Sequence, residues 1–277
     1  MAALVQQLPQ FAMSLLRLCV WLVLLAVIFV PLERIFGARR GPILRPRLGT
    51  DLIYYFLNNY LPQLMLIPPL AALGWLLHFI VPPAVYEFSG ALPLWVRVGI
   101  GMVLGEATYY WAHRAMHQVP LLWRFHAVHH AAEEVDWLVS TRAHPVDIAL
   151  GHLAGLVPLY AFGLAQPLGQ STDLAPLLFV VIGMGWGFFI HANLPWRLGP
   201  LRWVISTPGF HHWHHTRADH VDRNFASLLP GFDVLFGTYY LPREMPAEYG
   251  VRDPIAADMA GQLIEPFGPP RPVARPG

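Results

Sequence analysis

Thirteen of the chain's 14 histidines lie after residue 112, and eight of them fall in three short clusters with helical spacing. "HRAMH" places His113 and His117 at i, i+4. "HAVHH" places His126, His129 and His130 at i, i+3, i+4, and "HHWHH" repeats that spacing with His211, His214 and His215, His212 being extra. Each imidazole brings a lone pair and an N–H that both need partners. A fold that gathers this many must supply a shared partner or a dense set of acceptors. On a helix, positions i, i+3 and i+4 share one face, so each cluster can present two or three rings toward one point. Imidazole suits Fe, Zn, Cu and Ni. Eight clustered donors exceed what one ion can bind, which implies two ions. A monozinc protease is a poor fit, because "HRAMH" lacks the Glu of H-E-x-x-H.

The rest of the chain reads as membrane. It is 55% hydrophobic and only 13% charged, with a mean hydropathy of +0.44, against about 25% charged residues in soluble domains. Apolar runs predict spans at about 11–32, 52–80 (kinked by Pro62 and Pro68-Pro69, or a hairpin), 94–112, 148–165 and 174–190. The first lacks a basic leader segment and a cleavage site, so it reads as a retained helix. The fold expected is all-α: polytopic membrane helices, four to five spans, with a cytoplasmic helical cap holding a histidine-ligated di-metal site. The chain divides into a membrane region at 1–93, the histidine-bearing domain at 94–245, and a partly disordered tail at 246–277, Pro-rich from about 264. The formal net charge of +1 predicts no nucleic-acid partner. All 18 basic residues are Arg, and the single cysteine, Cys19, excludes a disulfide framework or a cysteine metal site.

Arg39, Arg40, Arg45 and Arg47 load one short loop, which the positive-inside rule assigns to the cytoplasm. Alternation then puts 113–147 and everything after 191 on the same side, with Arg97 as the exception. His113, the second cluster, His191 and the third cluster all meet at that face. Glu106 lies within a predicted span on one stripe with Tyr110, His113 and His117. An acid inside a span is costly and marks function by default, so Glu106 is expected to support a ligand.

With "WRFHAVHH", "STRAHP", "HANL", "TPGFHHWHH" and "NFASLLPGFDVLFGT", residues 95–245 resemble the fatty acid hydroxylase/sterol desaturase superfamily of integral-membrane histidine-rich di-iron oxidases. The resemblance implies two iron ions held by His113, His117, His126, His129, His130, His211, His214 and His215, with His191 as a further ligand. Some members carry another histidine four residues beyond that one. Here the place is Pro195, and His144 in "RAHP" is the candidate for a tenth ligand. His212 is expected to stand behind the ligands or to pack rather than bind. The implied activity is O2-dependent hydroxylation or desaturation of a fatty acyl, sterol-like or other membrane lipid, in the inner or plasma membrane of a bacterium with the active site on the cytoplasmic face. A metal-binding or metal-transporting membrane protein is the alternative, although transporter sites sit nearer the bilayer midplane.

Oxygen activation needs electrons. One cysteine cannot ligate an iron–sulfur cluster, and no G-x-G-x-x-G follows a strand-like run and opens a helix. A separate ferredoxin or cytochrome is therefore expected as donor. The four loop arginines offer one contact for an acidic carrier; they equally serve topology and anionic headgroups.

Overall fold

The computed structural model describes residues 2–165, 173–253 and 255–269. Eleven α-helices appear among them, and no strand. They are α1 (Ala2–Phe36), α2 (Leu48–Asn58), α3 (Leu61–Ile80), α4 (Pro83–Ala91), α5 (Leu94–Gln118), α6 (Pro120–His130), α7 (Pro145–Ala161), α8 (Ala175–His191), α9 (Pro208–His214), α10 (Gly231–Leu235) and α11 (Met259–Ile264). Proline placement explains how a helical chain tolerates 27 prolines. Pro62, Pro83, Pro120, Pro145, Pro176 and Pro208 each stand in a first turn, where the missing N–H costs nothing.

The span count differs from expectation. Two stretches, Pro9–Phe36 and Leu48–Ile80, are long and apolar enough to cross a membrane. The helices Pro145–Ala161 and Ala175–His191 are apolar but have 17 residues each, or about 26 Å against a hydrocarbon core of about 30 Å. Helix α5 is long enough, but Arg97, Glu106 and Arg114 dilute its hydropathy. The kink expected in the second span is a break at Asn59–Tyr60, just ahead of Pro62, while Pro68 and Pro69 sit inside α3. Arg97, the charge on the unexpected side, is neutralised by a two-pronged pair to Asp173 at 2.8 and 2.9 Å.

Helix α5 lies along α7 and also meets α6 and α8, and α3 flanks α7. Gly101 lets α5 approach closely, since a Cβ there would collide with the rings and methyls of Phe179 and Leu159. A core of Phe29, Tyr55, Trp137, Leu138 and Phe188 joins α1, α2, α8 and the 3-10 turn Trp137–Thr141. At the end of the bundle where α5 and α8 finish, Glu33 of α1 accepts from the backbone N–H of Trp137 and Asn193. There too Arg45 reaches Asp136 at 2.5 and 2.8 Å and Asp51 at 2.6 Å, and Arg142 reaches Asp51 at 3.4 Å. Arg45 is therefore a buried structural ion, not a surface contact for a carrier. Arg39 is also engaged, stacked 4.1 Å over the Tyr249 ring and bonded to the carbonyls of Pro246 and Ala247.

The described part of the stretch after residue 245 is tied to the domain at specific points. Gln262 of α11 is buried and meets the Tyr54 hydroxyl at 3.1 Å. Phe267 lies against Phe125, and Arg124 bonds the carbonyls of Glu265 and Gly268. Composition suggests a partly disordered tail here, and these anchors hold part of its described stretch. Residues 270–277 of that tail, and most of the loop expected at 166–173, lie outside the described residues.

Candidate metal centre

Four helices bring nine histidines to the shared end of the bundle, in two groups. His113, His117, His126, His130 and His214 form one; His129, His191, His211 and His215 form the other. Within each group the candidate ligand atoms all lie within 4.8 Å of one another. The HxxHH clusters do not aim at one point. Each one straddles both groups, because adjacent helical positions diverge by about 100°. Helix α6 sends His126 and His130 to the first group and His129 to the second; α9 and its C-cap send His211 and His215 to the second and His214 to the first.

Hydrogen bonds fix the rings. The Nδ1–H of His113 donates to the Phe225 carbonyl at 2.6 Å, His129 to Arg142 at 2.9 Å, His191 to Gly187 at 2.7 Å and His214 to Arg223 at 2.9 Å. His126 donates to the Asp147 carboxylate at 3.0 and 3.1 Å, and His117 to Asp222 at 3.0 Å. All six acceptors are oxygens without a proton to give, so Nδ1 carries the hydrogen and Nε2 keeps its lone pair. Those lone pairs face one another. The Nε2 of His126 is 3.1 Å from the Nε2 atoms of His113, His117 and His130. The Nε2 of His191 is 3.0–3.2 Å from those of His129, His211 and His215. The His214 Nε2 is buried with no hydrogen-bond partner.

Protonation does not relieve this crowding. Burial, then the neighbouring imidazoles, push His129 down to about 4 and hold His130, His211, His214 and His215 well below the ordinary histidine range. Neutral imidazoles with converging lone pairs repel unless a cation lies between them. A set of five nitrogen donors beside a set of four fits two divalent ions of the borderline class, Fe, Zn, Cu or Ni.

Three residues singled out in the sequence lie elsewhere. His144 is not brought to either group. Its Nδ1 accepts from the Val146 N–H at 3.1 Å, capping α7, and its Nε2–H donates to the Leu263 carbonyl at 3.1 Å, tying down α11. With both nitrogens occupied by the backbone, it has none to offer a metal. Glu106 does not touch a ligand either. It accepts from the Leu228 N–H at 2.9 Å and so holds the turn that follows Phe225. His212 packs, as expected. Its Nε2–H donates to the carbonyls of His191 and Ala192, and its Nδ1 accepts from the Tyr249 hydroxyl at 2.6 Å.

The "NFASLLPGFDVLFGT" segment is the brace behind His113. Asp233, fully buried, accepts from the N–H groups of Phe225 and Ala226 at 2.8 Å and from the Thr238 hydroxyl at 2.6 Å. Asn224, at φ 59°, bonds Phe210 and Tyr240. Together they aim the Phe225 carbonyl at His113. Arg142 and Tyr249 also serve the site, through His129 and His212. Their roles run through a backbone carbonyl and a buried ring, which no motif marks.

A family model described as fatty acid hydroxylase matches residues 98–238, and the chain belongs to that family. It is 33% identical over 178 residues to the ornithine lipid hydroxylase OlsE of Rhizobium tropici, covering 63% of this chain and 51% of that one. It is 30% identical over 162 residues to the alkylglycerol monooxygenase of Homo sapiens, covering 58% and 34%. It is 28% identical over 161 residues to a very-long-chain aldehyde decarbonylase of Oryza sativa subsp. indica, covering 53% and 25%. The chain thus spans about half the length of the first of these relatives and less of the others. No solved structure matches.

Proposed function

We propose that the protein is an O2-dependent membrane oxidase that inserts one oxygen atom into a C–H bond of a membrane lipid, with two iron ions at the nine-histidine centre. The observation that carries this reading is the convergence of nine buried histidines in two groups, their Nε2 atoms turned inward. Family membership, with lipid hydroxylase and monooxygenase relatives, supports lipid as substrate and oxidation as reaction. His113, His117, His126, His130 and His214 would hold one ion; His129, His191, His211 and His215 the other. Bound iron supplies the binding and reduction of O2.

The chain's own part is geometric. Backbone carbonyls and the Asp147 and Asp222 carboxylates lock ring orientation, so the donor set is formed before metal arrives. Phe225 and Trp123 lie against the first group, and Tyr110 packs behind Phe225, an apolar cover that would limit water. The overall balance is lipid C–H plus O2, two electrons and two protons, giving lipid C–OH and water. A separate ferredoxin or cytochrome delivers the electrons. The protein is placed in the inner or plasma membrane of a bacterium with the histidine end toward the cytoplasm, a side supported by the exposed Arg40 and Arg47 at that end and the positive-inside rule.

The deciding experiment combines metal analysis of purified protein with lipid profiling of cells with and without the gene. About two irons per chain and a lipid species gaining one oxygen are expected. Lipids that lose two hydrogens would redirect the reading to desaturation. Bound metal with no lipid change, and metal flux across vesicles, would replace it with transport.

A further inference from the structure

The edge of the domain beside the brace segment leaves large apolar side chains in the open. In the 3-10 turn Gly199–Trp203 and the residue after it, Leu201, Trp203 and Val204 are at least half exposed; in α10, Leu235 is 71% exposed. The two pieces form one surface. Trp203 stacks on Tyr239 at 4.9 Å, and the Tyr239 N–H bonds the Asp233 carbonyl of α10. Phe236, just past α10, packs on Trp111 of α5 at 4.7 Å. Contiguous apolar exposure of this kind marks a contact surface.

Two features specify the partner. The first is charge. Arg202 lies 5.3 Å over Trp203 and Arg114 lies 5.5 Å over Trp111, whereas Asp233, the acid of α10, is fully buried. Arginine paired with tryptophan around exposed leucine and valine is the composition of a membrane interface. The second is continuity. Ile100, Val103 and Trp111 are exposed on one face of α5 and lead to this edge. Thr108, exposed roughly a quarter turn to one side of that stripe, turns its hydroxyl back to the carbonyls of Leu104 and Gly105 at 3.1 and 3.0 Å. A threonine that satisfies its hydroxyl on its own helix suits hydrocarbon, where no water would bond it. A docked carrier protein would need no such stripe.

We infer that the edge formed by Gly199–Val204 and α10 is an in-plane anchor that rests in the membrane interface against anionic lipid headgroups. It extends the membrane reading of the chain, and the test separates the two. In a Cys19→Ser background, single cysteines at Val204 and Leu235 carry a nitroxide. Val27, exposed on α1, gives the lipid reference, and Asp253, exposed on the C-terminal segment, the aqueous one. The full chain is placed in nanodiscs of phosphatidylethanolamine and phosphatidylglycerol. Labels at 204 and 235 should sit roughly 5–10 Å below the phosphates, reached by O2 and shielded from a water-soluble nickel chelate, as at 27 and unlike 253. In the same nanodiscs Arg202→Glu should make both labels shallower. Aqueous labels at 204 and 235 with a lipid-embedded 27 would overturn the anchor and leave the span standing. An aqueous 27 would overturn the membrane reading and the anchor with it. Shielding that appeared only after an acidic carrier protein was added would show a protein dock instead.

Discussion

The two histidine groups look alike in composition and differ in what stands behind them. In the group of five, two rings are backed by carboxylates: His126 by the buried Asp147 and His117 by the half-exposed Asp222. In the group of four, His129 and His191 are backed by neutral carbonyls, and the Nδ1 atoms of His211 and His215 are buried with no hydrogen-bond partner. A carboxylate behind a ring raises its basicity and adds negative charge near the ion. If both groups are filled as proposed, the five-donor position would be the tighter one. Under the proposed function, the four-donor position, with one ligand fewer and weaker backing, would be the one with room for an exchangeable ligand such as O2. Two ions in one protein can then be held with different firmness by groups that never touch them.

The largest effect tests the groups themselves. His126→Ala removes the nitrogen that lies 3.1 Å from three others. Iron should fall from about two per chain to one or less, with turnover lost. His191→Ala, the corresponding centre of the second group, should also abolish turnover but leave the first position filled. Metal analysis with Mössbauer spectra of each variant distinguishes the two losses. Identical spectra would mean that the groups are one site.

The next effect tests the backing. Asp147→Ala should weaken iron at the five-donor position by about 10–100-fold, read by competition with a chelator. Asp147→Asn keeps an acceptor but loses the charge, so it should fall between wild type and Ala. Asp222→Ala should do less, because its side chain is 53% exposed and water takes its place. Equal effects at 147 and 222 would remove burial from the explanation.

How far this comparison could be read from sequence follows from what each part depends on. The i, i+4 spacing, and the position of His113 and His191 at the ends of apolar runs, are local properties, and the structure brings those rings together. The division of each HxxHH between two groups depends on where α6 and α9 approach α5 and α8, which no spacing encodes. His144 stands among motif residues in sequence, yet its ring faces the backbone of α7 and α11. The span count depended on counting apolar residues, whereas α7 and α8 fall just short of the length a crossing needs. The 246–277 stretch was read by composition, and its docking rests on a few residues such as Tyr249 and Gln262.

A smaller effect reaches the five-donor group from behind. Asp233→Asn turns one acceptor into a donor that faces the Phe225 or Ala226 N–H. Stability of the metal-free protein should drop by roughly 2 kcal/mol, measured by thermal or denaturant unfolding. Because the same segment aims a carbonyl at His113, iron at the first group should loosen slightly and the second group should not respond. A loss confined to the second group would contradict the brace.

The smallest effect uses a histidine that belongs to neither group. His144→Ala should keep both irons, since its two nitrogens are already committed to Val146 and Leu263; loss of an ion would make it a tenth ligand after all. Its pH dependence has a definite sign. Burial, the larger influence, lowers the His144 pKa below the ordinary histidine value, and the bond to Leu263 only partly opposes this. Below about pH 6.5 the unfolded chain therefore binds more protons than the folded one, and stability falls as pH falls. Above that value the contribution is complete. The structural reason is that a proton on Nδ1 would meet the Val146 N–H and cancel the cap of α7. The ring must then turn, and the hold on the Leu263 carbonyl goes with it. Hydrogen exchange of the α11 amides should accelerate as pH drops from about 7 toward 5, after correction for the intrinsic rate. In His144→Ala the amides should be fast at every pH and show no such step. A wild-type profile as flat as the variant's would mean that the ring never titrates in this range and that the anchor on α11 lies elsewhere, with the Phe125–Phe267 contact the next place to cut.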